Sequence, residues 1–193
     1  MTRLILASAS ERRQALLRRM GYAFEVVPPN VDESVPPGLP PERVAERLAE
    51  RKAAAVAAGL SGALVIGADT IVALGDEIIG KPRDRADARR ILRRLRGTAQ
   101  RVITGVCLLD TATGRRLVAH ETSLVKAAPV SDDEIDRYVA SGLGDDKAGA
   151  YAVQEADDPF VQSIDGSFDN VVGLPTELLA RLLSELGCRP FAG

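Results

Sequence analysis

The residues best able to do chemistry in this chain cluster at a few junctions. Ser8-Ala9-Ser10-Glu11-Arg12-Arg13 falls where a short apolar run hands over to a helical pattern. Free backbone N–H groups and the positive end of a helix dipole make such a junction an anion site, and serine hydroxyls add donors. Adjacent arginines in a first helical turn are unfavourable by roughly 0.3 to 1 kcal/mol each, which an anion such as a phosphate chain would offset. The plainer alternative has Ser10 capping the helix and both arginines in solvent. Lys52 lies in line with Val44, Leu48 and Val56 along one helix face, so its ammonium must either snorkel out or reach an anion. Asp69 interrupts the apolar run from Leu64 to Val72. A carboxylate there is costly to bury unless it is paired, protonated or metal-bound, so it is the best candidate for a catalytic acid or metal ligand, with a structural ion pair as the alternative. Gly67 and Ala68 just before it leave room for a ligand near the backbone.

Two further stretches are weaker alone. Gly80-Lys81-Pro82 pins a lysine shortly after the hairpin that Asp69 begins, and antiparallel return would bring Lys81 back towards it; the tripeptide is also an ordinary turn. In the run from Asp146 to Gln154, small residues precede a lone amide side chain, which suits a wall for a planar base.

These residues need strands and helices to hold them. Arg3 to Ser8 reads as a buried strand, Ser10 to Met20 as a helix, Ala23 to Val27 as a second strand, and Pro41 to Ala58 as a long helix after a proline-rich loop. Ala63 to Leu74 is an apolar strand turning at Gly75-Asp76 into Glu77-Ile78-Ile79, followed by a basic helix from Arg85 to Arg96. Val102 to Leu109 and Arg116 to Val125 form a hairpin around Thr113-Gly114, and Ser131 with Glu134 makes a capping box for a helix to Ala140. Short strand-like pieces are expected from Ala148 to Gly173, then a terminal helix from Leu174 to Leu186. The pattern predicts an α/β fold, a mixed sheet flanked by helices, with no linker that would split residues 1–193 into separate domains.

Composition narrows the function. With 25 Lys and Arg against 27 Asp and Glu, the net charge of −2 supplies no global field for a polyanion, so any bound anion must be held by a local cluster. Aromatics at 4% and no Trp disfavour stacking platforms for single-stranded nucleic acid, so no nucleic-acid partner is expected. Two cysteines and one histidine cannot build a structural zinc site, and they disfavour a disulfide framework and histidine-based catalysis. No apolar run reaches membrane-spanning length, so no membrane partner is expected and cytoplasm is the simplest compartment.

Taken together, Leu6-Ala7-Ser8-Ala9-Ser10-Glu11-Arg12-Arg13, Gly67-Ala68-Asp69-Thr70, Gly80-Lys81-Pro82, Asp146-Lys147-Ala148-Gly149-Ala150-Tyr151 and Val171-Val172-Gly173-Leu174-Pro175 resemble, in this order, the Maf family of nucleoside triphosphate pyrophosphatases. The resemblance implies two lobes around a cleft, in a fold similar to that of the inosine triphosphate pyrophosphatases. It implies hydrolysis of a triphosphate to monophosphate and pyrophosphate with a divalent cation, Mg2+ or Mn2+. By the same resemblance Asp69 is the general base, Ser8, Ser10, Arg12, Arg13, Lys52 and Lys81 contact the phosphates, Glu33 and Asp69 face the metal, and a homodimer is expected. Arg12, Thr70 and Gln154 match the specificity positions of the dTTP/UTP subgroup, and the amide of Gln154 offers the donor and acceptor that the uracil or thymine edge asks for. The chain departs from the family pattern at Glu11, where proline is usual, and at Ala152 and Glu155, where glycine usually flanks the glutamine. The alternatives are a 7-methyl-GTP pyrophosphatase of the same family and a regulator of division that senses nucleotides without turnover.

Overall fold

A computed structural model describes residues 3–34, 38–153 and 159–190. In chain order these form β1 (Arg3–Ala7), α1 (Glu11–Arg19), β2 (Glu25–Val26), α2 (Pro41–Ala57), β3 (Ala63–Leu74), β4 (Glu77–Ile79), α3 (Arg85–Leu95), β5 (Ala99–Asp110), β6 (Arg116–Ala127), α4 (Asp132–Ser141), a 3-10 turn at Ala148–Ala150, β7 (Val161–Asp165), α5 (Phe168–Val172) and α6 (Thr176–Glu185). The mixed sheet expected from the sequence has seven strands in the order β2-β1-β3-β5-β6-β7, with β4 on the free edge of β3. β1 runs parallel to β2 and β3, and the remaining pairs are antiparallel.

Side chains alternate across β3, and the two faces meet different partners. Val65, Ile71 and Ala73 pack under α2 with its Val44, Leu48 and Val56. The opposite face carries two separate apolar cores. Leu64, Ile66 and Ala68 join Leu16 and Leu17 of α1 and Leu179 and Leu183 of α6. Val72 joins Ile91, Leu92 and Leu95 of α3 and Ile135 of α4. Thr70 lies on β3 between these cores, directly opposite Thr104 of β5.

α2 approaches the sheet closely because the strands beneath it have no side chain at two positions. A Cβ on Gly67 would lie 2.2 Å from the Ala49 carbonyl oxygen, and one on Gly105 would lie 2.3 Å from that of Ala45. Room at Gly67 is therefore filled by α2 backbone and not by a ligand, correcting the expectation drawn from Gly67-Ala68.

The strand-like pieces expected from Ala148 to Gly173 resolve otherwise: among the described residues of this stretch only Val161–Asp165 is a strand, and Phe168–Val172 is a helix. Ser167 caps that helix by accepting from Asn170 N–H, and Gly173 closes it at φ 125°. The terminal helix begins at Thr176 with Pro175 as its cap, two residues later than expected. The turn after Leu74, the hairpin from Asp110 to Arg115 and the Ser131–Glu134 capping box form as the sequence predicts. Cys107 and Cys188 are free thiols, and burial pushes Cys107 up to about 12.

Gly67→Ala and Gly105→Ala should each lower stability by about 3 kcal/mol, since backbone on both sides must move. Gly80→Ala, where an added Cβ meets open space, should stay within about 0.5 kcal/mol of wild type. Urea denaturation of the three variants checks the contrast.

Candidate active site

β3 is paired on one side by β1 only as far as Ala7↔Gly67, and by β4 only from Val72↔Ile79. Residues 68–71 therefore face a notch in the sheet with no strand partner on that edge. Ser10 and the first turn of α1 stand at its rim, because the chain leaves the end of β1 straight into that helix. A cavity of about 870 Å3 opens at the notch, within the usual size for a small-molecule site.

Because adjacent strand residues face opposite sides, Asp69 and Thr70 enter this cavity from different faces of the sheet. On the α2 face, the Lys52 ammonium donates to Asp69 Oδ1 at 2.5 Å and lies 2.7 Å from Glu33 Oε1. Lys52 and Asp69 are both buried, so Lys52 reaches an anion instead of snorkelling, and the pairing lifts the penalty for burying either charge alone. Arg51, one residue earlier on α2, donates to the carbonyls of Asp32 and Ser34, the latter at 2.7 Å, and so fixes the loop carrying Glu33. The hydrogen bond from Lys52, aided by the charges of Lys81 and Arg13, holds the Glu33 carboxyl below its ordinary value.

On the other face Arg13 reaches across the fold. It donates from Nε to the Gly173 carbonyl at 2.8 Å, from Nη1 to Ser8 Oγ at 3.3 Å and from Nη2 to Thr70 Oγ1 at 3.0 Å. The solvent-facing alternative for Arg13 is thus excluded, and its three acceptors are uncharged. Burial lowers its guanidinium pKa while Asp69 opposes that shift. Ser10 caps α1, accepting from Arg13 N–H at 3.4 Å. Ser8 is buried, accepts from Ser10 N–H at 3.2 Å, and stands behind the cavity wall holding Arg13.

Arg12, Lys81 and Lys147 also line the cavity. Lys147 is paired with Asp146 at 2.5 Å, whereas Arg12, Arg13 and Lys81 have no carboxylate partner among the described residues. Lys81 thus shares the cavity with Asp69, as the antiparallel return predicts, and its loop is tied to the opposite wall by Gly149 N–H donating to the Gly80 carbonyl at 3.1 Å. Ala148, Tyr151 and Val153 supply an uncharged stretch of that wall, and Glu11 adds a carboxylate at the rim. Gln154 and Glu155 lie outside the described residues.

Four residues were not singled out from sequence. Lys147 belonged to a quoted motif, and its charge was the available signal. Arg51 acts through its position next to Lys52. Thr104 and Asn170 are buried polar residues behind Thr70, and a threonine in a strand is too ordinary to flag.

The donor set also bears on metals. Glu33 and Asp69 converge on one ammonium, so two hard carboxylate donors already face a single cationic position, which fits Mg2+ or Mn2+ held jointly with phosphate oxygens. No group of three or more His, Cys, Asp and Glu suited to a metal occurs among the described residues, so the ligands present fit a cation that arrives with further oxygens.

An α/β fold whose sheet is notched beside a helix N-terminus, with uncharged acceptors aiming arginine into a carboxylate-bearing cavity, defines a protein that handles a polyanionic small molecule. The family model for Maf-like proteins matches residues 3–186, and the chain belongs to that family. It is 47% identical over 187 residues, 97% of this chain and 98% of the relative, to a dTTP/UTP pyrophosphatase of Pelotomaculum thermopropionicum. Proteins of the same name from Symbiobacterium thermophilum and Anaeromyxobacter dehalogenans (strain 2CP-C) are 46% identical over 193 residues and 49% identical over 187, covering 100% and 96% of this chain and 98% and 94% of the relatives.

Lys52→Met should leave Asp69 buried without its partner and lower stability by about 3 kcal/mol. The carboxyl of Glu33 should then titrate higher, towards its ordinary value, because its strongest stabilising contact is gone. Carbon-detected NMR titration of both proteins reads this shift; an unmoved Glu33 would contradict the Lys52 geometry.

Proposed function

We propose that this chain is a nucleoside triphosphate pyrophosphatase that hydrolyses dTTP and UTP to the monophosphate and pyrophosphate. The observation that carries the reading is the meeting of a paired carboxylate, Asp69, with the cations Arg12, Arg13 and Lys81 in one cavity of triphosphate size. Near full-length identity to relatives bearing that activity in their names supports the substrate.

In the proposed reaction the side chains of Arg12, Arg13 and Lys81 take the charge of the triphosphate, and the α1 N-terminus at Ser10 adds backbone donors. Asp69 accepts the proton of a water whose oxygen bonds to the α-phosphorus while the bond to the bridging oxygen breaks and pyrophosphate leaves. Lys52 holds Asp69 in position. Glu33 and Asp69 would hold the Mg2+ or Mn2+ ion, which when bound supplies charge neutralisation to the phosphates. Ser8 acts by orienting Arg13. Thr70 and Gln154 read the base. We further take the chain to be a single domain working as a cytoplasmic homodimer; sedimentation velocity checks the assembly. No helix among the described residues is long and apolar enough to cross a membrane.

Asp69→Asn should keep nucleotide affinity within about tenfold of wild type and lower turnover at least about a hundredfold, since the nearly isosteric amide takes no proton. Phosphate release from UTP, measured with added inorganic pyrophosphatase, checks it, and near-normal turnover would reduce Asp69 to a structural residue. Arg13→Ala should lose both affinity and rate, because its contacts serve ground and transition states alike. A protein that binds UTP but releases no pyrophosphate would be the nucleotide-sensing regulator instead.

A further inference from the structure

Behind Thr70 lies a buried hydrogen-bond chain whose direction can be counted. Thr70 Oγ1 and Thr104 Oγ1 are 2.9 Å apart, and Thr104 Oγ1 is 2.9 Å from the backbone carbonyl of Asn170. A carbonyl can only accept, and a hydroxyl has one proton. Thr104, fully buried, must therefore donate to Asn170, and Thr70 must donate to Thr104. At its other side Thr70 accepts from Arg13 Nη2 at 3.0 Å. The polarity is fixed throughout: Arg13 to Thr70 to Thr104 to the Asn170 carbonyl. The proton of Thr70 is committed inward, so towards the cavity this hydroxyl offers only a lone pair.

We infer that Thr104 is a positioning residue for base selection, which makes Thr70 an acceptor-only group in the cavity. This rests on the proposed pyrimidine triphosphate substrate. An acceptor-only hydroxyl gains nothing from phosphate oxygens, which are themselves acceptors. On the edge of uracil or thymine that faces a protein, O2 and O4 also accept, so N3–H is the single group that can donate to Thr70. Cytosine presents an unprotonated N3 at that position, where two lone pairs would face each other, and its one donor, the 4-amino group, lies a position further along the edge, where uracil carries O4. Selection against cytosine at this point comes from Thr104, which touches neither base nor phosphate.

The seam that holds Thr104 in place is itself polar, and only the buried Asn170 Oδ1 lacks a partner among the described residues. Asn170 Nδ2 donates to the Val102 carbonyl at 3.0 Å and to Ser123 Oγ at 2.9 Å, locking α5 onto β5 and β6. The Asn170 carbonyl also accepts from Gly173 N–H at 3.1 Å, so it keeps a partner when the Thr104 hydroxyl is removed.

Thr104→Val frees the proton of Thr70, which can then turn outwards to the N3 of cytosine while still accepting from uracil in its other orientation. The expected result is a rise in kcat/KM for CTP and a fall of at least about fivefold in the UTP-to-CTP ratio, matching one mispaired polar contact relieved. Thr104→Ser, which keeps the hydroxyl, should restore the wild-type ratio. A general loss of packing would lower both substrates and would not raise CTP. If Thr104→Val, folded by circular dichroism, lowers UTP and CTP equally or leaves the ratio unchanged, the inference is overturned. Wild-type protein that does not discriminate UTP from CTP would instead overturn the dTTP/UTP reading on which the inference rests, and that is seen before any variant is made.

Discussion

The architecture of the site depends on how closely α2 lies against the sheet. Ala45, Ala49 and Ala53 form a small-residue stripe on the helix, and Gly67 and Gly105 remove the side chains they would otherwise meet on β3 and β5. Ala49 and Ala53 are fully buried, so the contact is backbone against backbone with little between. A helix held at that distance puts the residue beside the stripe within direct reach of the strand. Lys52 is that residue, and its ammonium meets Asp69 two residues beyond Gly67. Had a larger side chain stood at Gly67, the helix would ride higher, and a buried carboxylate would face no counter-ion. Close packing here sets the electrostatics.

The second constraint is topological. β1 is parallel to β3 and ends early, whereas β4 is antiparallel to β3 and starts late, and between them the strand edge is open. At this opening the side chains from both faces of β3 line one cavity. Asp69 brings the charge chemistry from the α2 face, and Thr70 brings the Arg13 network from the other. The two apolar cores on that second face stop short of each other, and the space between is filled by Thr70, Thr104, Asn170 and Ser123. Apart from the unpartnered Asn170 Oδ1, the hydrogen-bonding groups of this polar seam are paired, and they supply directional hydrogen bonds where apolar packing supplies none.

Much of this was legible in the sequence because it rests on local periodicity. The four-residue recurrence through Lys52, the apolar strand broken by Asp69 and the serine before paired arginines each name their element and face. What could not be read is what depends on distance along the chain. Arg13 is tied to Gly173, 160 residues away, and nothing near either residue announces the other. The choice between snorkelling and pairing for Lys52 depended on Gly67, whose small size looked like space for a ligand. The helix at Phe168–Val172 spans five residues, too short for a helical period to stand out, and only the Ser167 cap and Gly173 mark it.

Charge placement explains how a chain of net charge −2 can take a polyanion. Most arginines of the most basic element, α3 with its flanks, are ion-paired: Arg89 with Asp136, Arg90 with Asp87, Arg93 and Arg96 with Asp132, and Arg94 with Glu77. These pairs are largely solvent-exposed on the arginine side and each contributes little to stability. Their collective effect is to remove a competing anion site from the surface. In the cavity the pattern inverts: Arg13 is held by a carbonyl and two hydroxyls, which orient it without cancelling its charge. Neutral acceptors orient Arg13 without an ion pair of its own, so its charge is left for whatever enters the cavity. A cavity that can take an anion thus follows from where the cations are left unpaired, with no excess of them needed.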